Sequence, residues 1–175
     1  MRESLVLVGF MGAGKSTVGR MAAQRLNAAF IDSDAVIEAR AGKRISQIFA
    51  EDGEAAFRAL ERATIADLVR EPDAVIATGG GAFVDPNTRE LLNRTSVTAY
   101  LRAPFDVLWN RIAHGTERPL LSGDDPRGRL AALFESRIAS YEQARIVVDA
   151  TLPAPQVVEE LLHKYHECTR EQASK

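Results

Sequence analysis

The apolar run Leu5-Val6-Leu7-Val8 leads directly into Gly9-Phe10-Met11-Gly12-Ala13-Gly14-Lys15-Ser16, and the segment from Ser16 to Leu26 then places Val18, Met21, Ala22 and Leu26 at helical spacing. A strand has to precede such a loop and a helix has to follow it, so the motif fixes the first β-loop-α unit and reads as a phosphate-binding loop. Its glycines let the backbone curl until consecutive N–H groups point at a polyphosphate, and the helix N-terminus adds partial positive charge. Lys15 is expected to reach the terminal phosphates, and the Ser16 hydroxyl to ligate Mg²⁺.

Five apolar strand candidates recur between helical stretches: Leu5 to Val8, Ala29 to Ile31, Ala74 to Ala77, Val97 to Leu101 and Ile146 to Val148. That alternation predicts an α/β fold, a parallel sheet with helices on both faces. The strands read as continuous apolar runs, as they should when both sheet faces are covered. Helices are expected near Asp34 to Ala41, Glu54 to Arg70, Pro86 to Asn93, Pro104 to Ala113, Pro126 to Ala144 and Ala154 to Cys168. Two segments depart from simple alternation. A long helical insertion, about 34–70, separates the second and third strands and offers a grip for a second substrate. The stretch His114 to Arg129, with Gly115, Pro119, Gly123, Pro126 and Gly128 among charges, reads as a lid.

With 175 residues, the chain is expected to form one domain over 1–175, its core about 5–170. No apolar run approaches the roughly 18 residues that span a bilayer, and the first strand follows Met1 too closely for a secretory leader, so a cytoplasmic protein is expected. The net charge of −2 argues against a nucleic-acid surface, so an anionic ligand must be held by locally placed cations. Cys168, the one cysteine, allows neither a disulfide framework nor a thiolate metal site. His114, His163 and His166 lack the partners for zinc, and the last two sit on a terminal helix that reads as solvated. Without heptads or an extended apolar helix face, a monomer is expected. Trp109, just before the lid, reads as a packing residue.

Asp32-Ser33-Asp34 ends the second strand, and ligands in doubly wound sheets gather at the carboxyl ends of strands. Residues two apart on an extended segment face the same side, so one carboxylate could hold Mg²⁺ while the other orients a hydroxyl and accepts its proton. A helix N-cap at Ser33 or Asp34 accounts for the same residues equally well. After the third strand, where many phosphate-loop enzymes carry a magnesium-binding acid, the chain has Thr78-Gly79-Gly80-Gly81; these glycines allow close backbone approach to a ligand and offer N–H donors. Arg58, Arg118 and Arg137 complete the set. An arginine fork binds carboxylate or phosphate, and a lid arginine can neutralise charge on a phosphoryl group in transfer.

Taken together, Gly9 to Thr17, Asp32-Ser33-Asp34, Phe57-Arg58 with Glu61, Gly79-Gly80-Gly81, Arg118-Pro119-Leu120-Leu121 and Arg137 with Tyr141 resemble the shikimate kinase family in order and spacing over about 5–148. The resemblance implies a three-layer α/β/α fold with a five-stranded parallel sheet ordered 2-3-1-4-5, like that of nucleoside monophosphate kinases. It implies transfer of the γ-phosphate of ATP to the 3-hydroxyl of shikimate, a step toward chorismate and the aromatic amino acids, with one Mg²⁺ ion. On this resemblance Asp34, Arg58, Arg137 and the glycines 79–81, Gly80 above all, hold shikimate, and Asp34 is the base. Lys15 and Arg118 stabilise phosphoryl charge, Ser16 and Asp32 arrange Mg²⁺, and Gly12, Ala13, Gly14 and Thr17 cradle ATP. Arg111 and the segment near Pro155 flank adenine. The chain departs from the family at Arg111-Ile112-Ala113-His114-Gly115 and at Leu152-Pro153-Ala154-Pro155, both next to the expected adenine contacts. The rival expectations are a kinase of another small acid or polyol, such as gluconate, and a nucleotide-binding regulatory module without catalysis.

Overall fold

The structure, a computed structural model, describes residues 3–114 and 124–173. Five strands, β1 (Leu5–Val8), β2 (Ala29–Asp32), β3 (Ala74–Ala77), β4 (Val97–Arg102) and β5 (Ile146–Asp149), form one sheet in the order β2-β3-β1-β4-β5. Every neighbouring pair is parallel, with Leu5 opposite Val75 on one side and Val97 on the other. The expected order is found, and each strand lies within one residue of its expected bounds.

The sequence dictates this topology through burial. In β1, Val6, Leu7 and Val8 are 0% exposed, so the strand must be central and covered on both faces. Its exit into the glycine loop starts α1 (Lys15–Leu26), which Asn27 ends in the left-handed conformation with φ 50°. The connection through α1 carries the chain back past β3 to β2, whereas all later connections step the other way. Right-handed crossovers therefore put α1 on one face and the later connecting helices on the other. The last helix, α8 (Ala154–Ala173), returns to pack beside α1. It is not simply solvated, as its sequence suggested: Val157, Val158, Leu161 and Tyr165 are buried, while His163 and His166 face outward.

The insertion resolves into three helices, α2 (Ser33–Ala41), α3 (Ile45–Glu51) and α4 (Gly53–Leu68). The short α3 was not expected from the sequence. It forms because Gly42, at φ 65°, stops α2, the Arg44 N–H donates to the Gln47 side chain at 2.9 Å, and Ile45 with Ile48 supply an apolar stripe. Ile37, Ile48 and Phe57, one from each helix, make a small core of their own, apart from the main core beneath the sheet. After β3 a short 3-10 turn at Ala82–Val84 leads to α5 (Pro86–Thr95), capped by Asp85, whose carboxylate accepts from the Thr88 N–H at 2.8 Å. Helices α6 (Phe105–Ala113) and α7 (Pro126–Tyr141) complete the second face. The last four residues of the expected lid are the first turn of α7; Arg118 and the rest of 115–123 lie outside the described residues.

The continuous-run expectation fails at β2. As an edge strand it leaves Ala29 exposed and Phe30 and Ile31 half-buried, with the Arg20 guanidinium 5.0 Å from the centre of the Phe30 ring. Trp109 is half-buried and stacks on Phe105, as a packing residue should.

The separate core of the insertion has a measurable consequence. Ile48→Ala removes its central side chain and should lower stability by about 2–5 kcal/mol in urea unfolding. A loss under about 0.5 kcal/mol would mean that the three helices do not depend on that contact.

Candidate active site

At the carboxyl ends of β1, β2 and β3 lies a cleft of about 410 Å³, bounded by the glycine loop, Asp32, Asp34 and the segment Ala77 to Gly80. The loop can turn there because Gly12 and Gly14 take φ 78° and 88°, and a Cβ on Gly12 would lie 3.1 Å from the Leu108 carbonyl of α6. Among the described residues no side chain caps α1. Its first N–H groups therefore open onto the cleft, the arrangement that receives an anion. The Lys15 ammonium donates to the Gly9 and Phe10 carbonyls at 2.8 and 2.9 Å. Burial lowers its pKa to about 8 despite the opposing pull of Asp34 and Asp32.

Asp32 and Asp34 both border the cleft, for a reason other than strand alternation. Asp32 is the last residue of β2 and the N-cap of α2: its Oδ1 accepts from the N–H groups of Asp34 and Ala35 at 3.0 and 3.4 Å. Asp34 sits in the first turn of the helix that Asp32 caps. The cap falls one or two residues earlier than expected, and the other oxygen of Asp32 stays free to accept from the Ser16 hydroxyl at 3.1 Å. Burial, followed by the nearby carboxylates of Asp32 and Glu61, pushes Asp34 up to about 6, with Lys15 opposing.

The glycine triplet explains how the rest assembles. Its backbone lies against the side chains that the sequence singled out. A Cβ on Gly79 would stand 2.7 Å from Asp34 Oδ1, one on Gly80 3.4 Å from Arg137 Nη1, and one on Gly81 2.5 Å from Arg58 Nη1. The three motifs, far apart in sequence, thus meet on one turn. Arg58 on α4 donates to the buried Glu61 at 2.7 Å and to Glu54 at 3.4 Å. Arg137 on α7 lies 5.9 Å from the centre of the Phe10 ring.

Two residues support the glycine turn in ways the sequence did not suggest. Ser33, fully buried, accepts from the Gly79 N–H at 3.2 Å, and the Tyr141 hydroxyl donates to the Gly80 carbonyl. Asp-Ser-Asp after a strand and Arg-x-x-x-Tyr on a helix were legible as motifs, but neither says which backbone group its side chain would hold.

A second cleft, about 240 Å³, opens on the other side of the loop, lined by Gly12 to Gly14, Thr17, Arg111, Ala150, Leu152 and Ala154 among others. Arg111 bridges it, donating to the Gly12 carbonyl at 3.2 Å and the Ala150 carbonyl at 2.8 Å. Pro155 is exposed one residue beyond Ala154 and does not line this space.

A family model described as shikimate kinase matches residues 11–166. A shikimate kinase of Paramagnetospirillum magneticum is 49% identical over 154 residues, 88% of this chain and 79% of that protein. One from Ruegeria pomeroyi is 46% identical over 148 residues, 85% of this chain and 76% of that protein. Among solved structures, shikimate kinase from Acinetobacter baumannii in complex with shikimate superposes with a TM-score of 0.89 at 34% identity, covering 95% of this chain and 94% of that one. A phosphate loop, an acidic pair and two arginines gathered on one glycine turn, together with relatives this similar over most of their length, place the chain in the shikimate kinase family.

Proposed function

We propose that the chain transfers the γ-phosphoryl group of ATP to the 3-hydroxyl of shikimate, with Asp34 as the base. The family and its relatives carry the reaction class, a kinase acting on shikimate. The observation that supports this division of labour is the meeting, in one cleft, of an uncapped phosphate loop with Asp34 and a glycine turn flanked by Arg58 and Arg137. An anion site and a carboxylate grip beside a carboxylate base are what phosphoryl transfer to a hydroxy acid requires.

Arg58 and Arg137 hold the shikimate carboxylate, with the backbone of Gly79 to Gly81 against the ring. Asp34 binds the hydroxyls and takes the proton as oxygen attacks phosphorus in line. A base near pKa 6 is mostly ionised at neutral pH yet close enough to it to accept a proton in the transition state. Lys15 leaves the loop carbonyls for the phosphates, whose charge favours its protonated form, and Arg118 adds a second cation from the lid. Gly12, Ala13, Gly14 and Thr17 surround the polyphosphate, and adenine rests between Arg111 and the start of α8 near Pro155.

The donor set suits Mg²⁺, because Ser16 and Asp32 offer hard oxygens already within 3.1 Å of each other. Among the described residues no group of three or more His, Cys, Asp or Glu side chains could hold a metal, which fits an ion completed by phosphate oxygens and water. When bound, Mg²⁺ neutralises phosphate charge. The reading extends to a cytoplasmic monomer that uses neither nucleic acid nor membrane; among the described residues no helix is long and apolar enough to cross a bilayer.

ADP production from Mg-ATP with shikimate, gluconate, quinate or no acceptor tests the assignment. Shikimate alone should support fast turnover, and Asp34→Asn should reduce it by roughly 10²-fold or more. Equal turnover with gluconate would overturn the acceptor, and a near-normal Asp34→Asn enzyme would overturn the base. Arg58→Ala should raise KM for shikimate and leave KM for ATP nearly unchanged, whereas equal rises in both would contradict a carboxylate contact. The pH profile follows from the two shifted groups. Asp34 loses its ability to accept a proton as pH falls through about 6, so kcat/KM for shikimate should fall below that value. Lys15 loses its charge as pH rises through about 8, so kcat/KM for ATP should fall above it. An acid limb that stays near pH 4 would remove Asp34 from the chemistry.

A further inference from the structure

The phosphate-binding pattern makes no demand on the residue after its first glycine, yet here that residue is Phe10, a large side chain only 1% exposed. Its backbone belongs to the loop: the carbonyl accepts from the Lys15 ammonium at 2.9 Å and from the Ala13 N–H at 3.3 Å. Its ring belongs to the other half of the site. It packs edge to face with Phe134 of α7, with centroids 5.3 Å apart and planes at 76°. Phe134 lies one turn before Arg137, so the two share a helix face. The Arg137 guanidinium lies over the Phe10 ring, its central carbon 5.9 Å from the ring centre.

The loop also lies against the glycine turn. A Cβ on Gly80 would stand 3.7 Å from the Gly9 carbonyl oxygen and 3.8 Å from the Met11 nitrogen, as well as 3.4 Å from Arg137 Nη1. Phe10 is the residue between those two, so the loop, Arg137 and the Gly80 turn meet at one place. The two arginines of the site are supported in different ways. Arg58 is tied to Glu61 and Glu54, which offset its charge. Among the described residues no carboxylate forms an ion pair with Arg137, which has the Phe10 ring beneath it. An aromatic face attracts a guanidinium without cancelling the charge that draws an anion.

We propose that Phe10 is a positioning residue for the acid substrate: its ring seats the Arg137 guanidinium beside the Gly80 turn, so that the phosphate loop itself supports one arm of the carboxylate grip. The proposal rests on the reading of this cleft as a shikimate grip. A long arginine side chain loses rotamer freedom when it binds, and restricting it beforehand moves that loss out of the binding step. The ring is rigid, it is fixed at its base by the loop backbone, and Phe134 packs against it. Arg137 is therefore referenced to the same segment whose carbonyls hold Lys15.

Truncating so buried a ring would leave a cavity beneath the loop, so the test changes the charge on the ring face and keeps its shape. Monofluoro-, difluoro- and trifluorophenylalanine in place of Phe10 draw electron density from that face and retain the backbone carbonyl that holds Lys15, and thermal melts confirm that each variant is folded. Steady-state kinetics then follow each variant, with shikimate varied at saturating ATP and the reverse. The value of kcat/KM for shikimate should fall with each added fluorine, by roughly fourfold in the trifluoro variant, and kcat/KM for ATP should stay unchanged. In the Arg137→Ala background the same series should be flat, because the cation over the ring is gone. Equal losses for both substrates, as general loosening would produce, overturn the proposal. So does a full effect of fluorine in the absence of Arg137, or a flat series in its presence. Failure of the wild type to phosphorylate shikimate would remove the functional reading and this proposal together, and that outcome is distinct from wild-type turnover with an indifferent fluorine series.

Discussion

A turn without side chains holds the acceptor half of this site together. Gly79, Gly80 and Gly81 lay their backbone against Asp34, Arg137 and Arg58, and a Cβ on Gly79 or Gly81 would enter space that Asp34 or Arg58 now occupies. The turn stays in place because each stretch of it is held from a different element. Ser33 of α2 accepts from Gly79, Tyr141 of α7 donates to Gly80, and Arg89 of α5 donates to the carbonyls of Phe83 and Val84 at 3.0 Å each. Arg89 also reaches the Gln143 side chain just past α7, closing the ring of contacts. Three helices from separate parts of the chain thus converge on backbone groups that are otherwise short of partners. Side chains aimed at such a turn inherit its fixed position, which is what preorganised binding requires.

The charges around that turn are not at rest in the free protein. Asp32 and Glu61 crowd Asp34, and the half-buried Lys15 lies close enough to Asp34 and Asp32 to feel both. Burial weakens both kinds of ion, drawing Lys15 down to about 8 and Asp34 up to about 6. Each shift reports free energy spent to keep a charge where folding alone would not place it. Lys15 meanwhile occupies the two loop carbonyls, Gly9 and Phe10, as substitute partners. A polyphosphate entering the loop would offer a stronger, fully charged partner, so binding relieves in the ligand-bound state what folding leaves unsettled in the free one.

The parts of the sequence that were legible are those where one local rule decides. The glycine loop, the strands and the first helix up to Leu26 each follow from backbone conformation, burial or spacing, and each stands where it was expected. Helix α3 escaped notice because seven residues give too short a period to read, and its core partners, Ile37 and Phe57, belong to other helices. The two aspartates were placed in the site on the geometry of an extended strand, yet the chain has already turned into a helix at Ser33. Both side chains border the cleft all the same, because strand end and helix start open at the same end of the sheet. The triplet of glycines suggested room for a ligand. Gly79 and Gly80 do line the cleft, and the triplet also lies against the chain's own charged side chains, a long-range fact that no local pattern encodes.

Asp32 joins the two halves of the cleft through a single carboxylate. Its Oδ1 fixes the first turn of α2, and with it Asp34; its Oδ2 accepts from Ser16 at the start of α1. The helix that follows the glycine loop and the helix that carries the proposed base are therefore referenced to one group. An N-cap holds its helix through bonds to one oxygen only, which leaves the second available for a hydroxyl or a cation without loosening the cap. The carboxylate serves both, so the starts of α1 and α2 are tied to the two oxygens of one covalently rigid group.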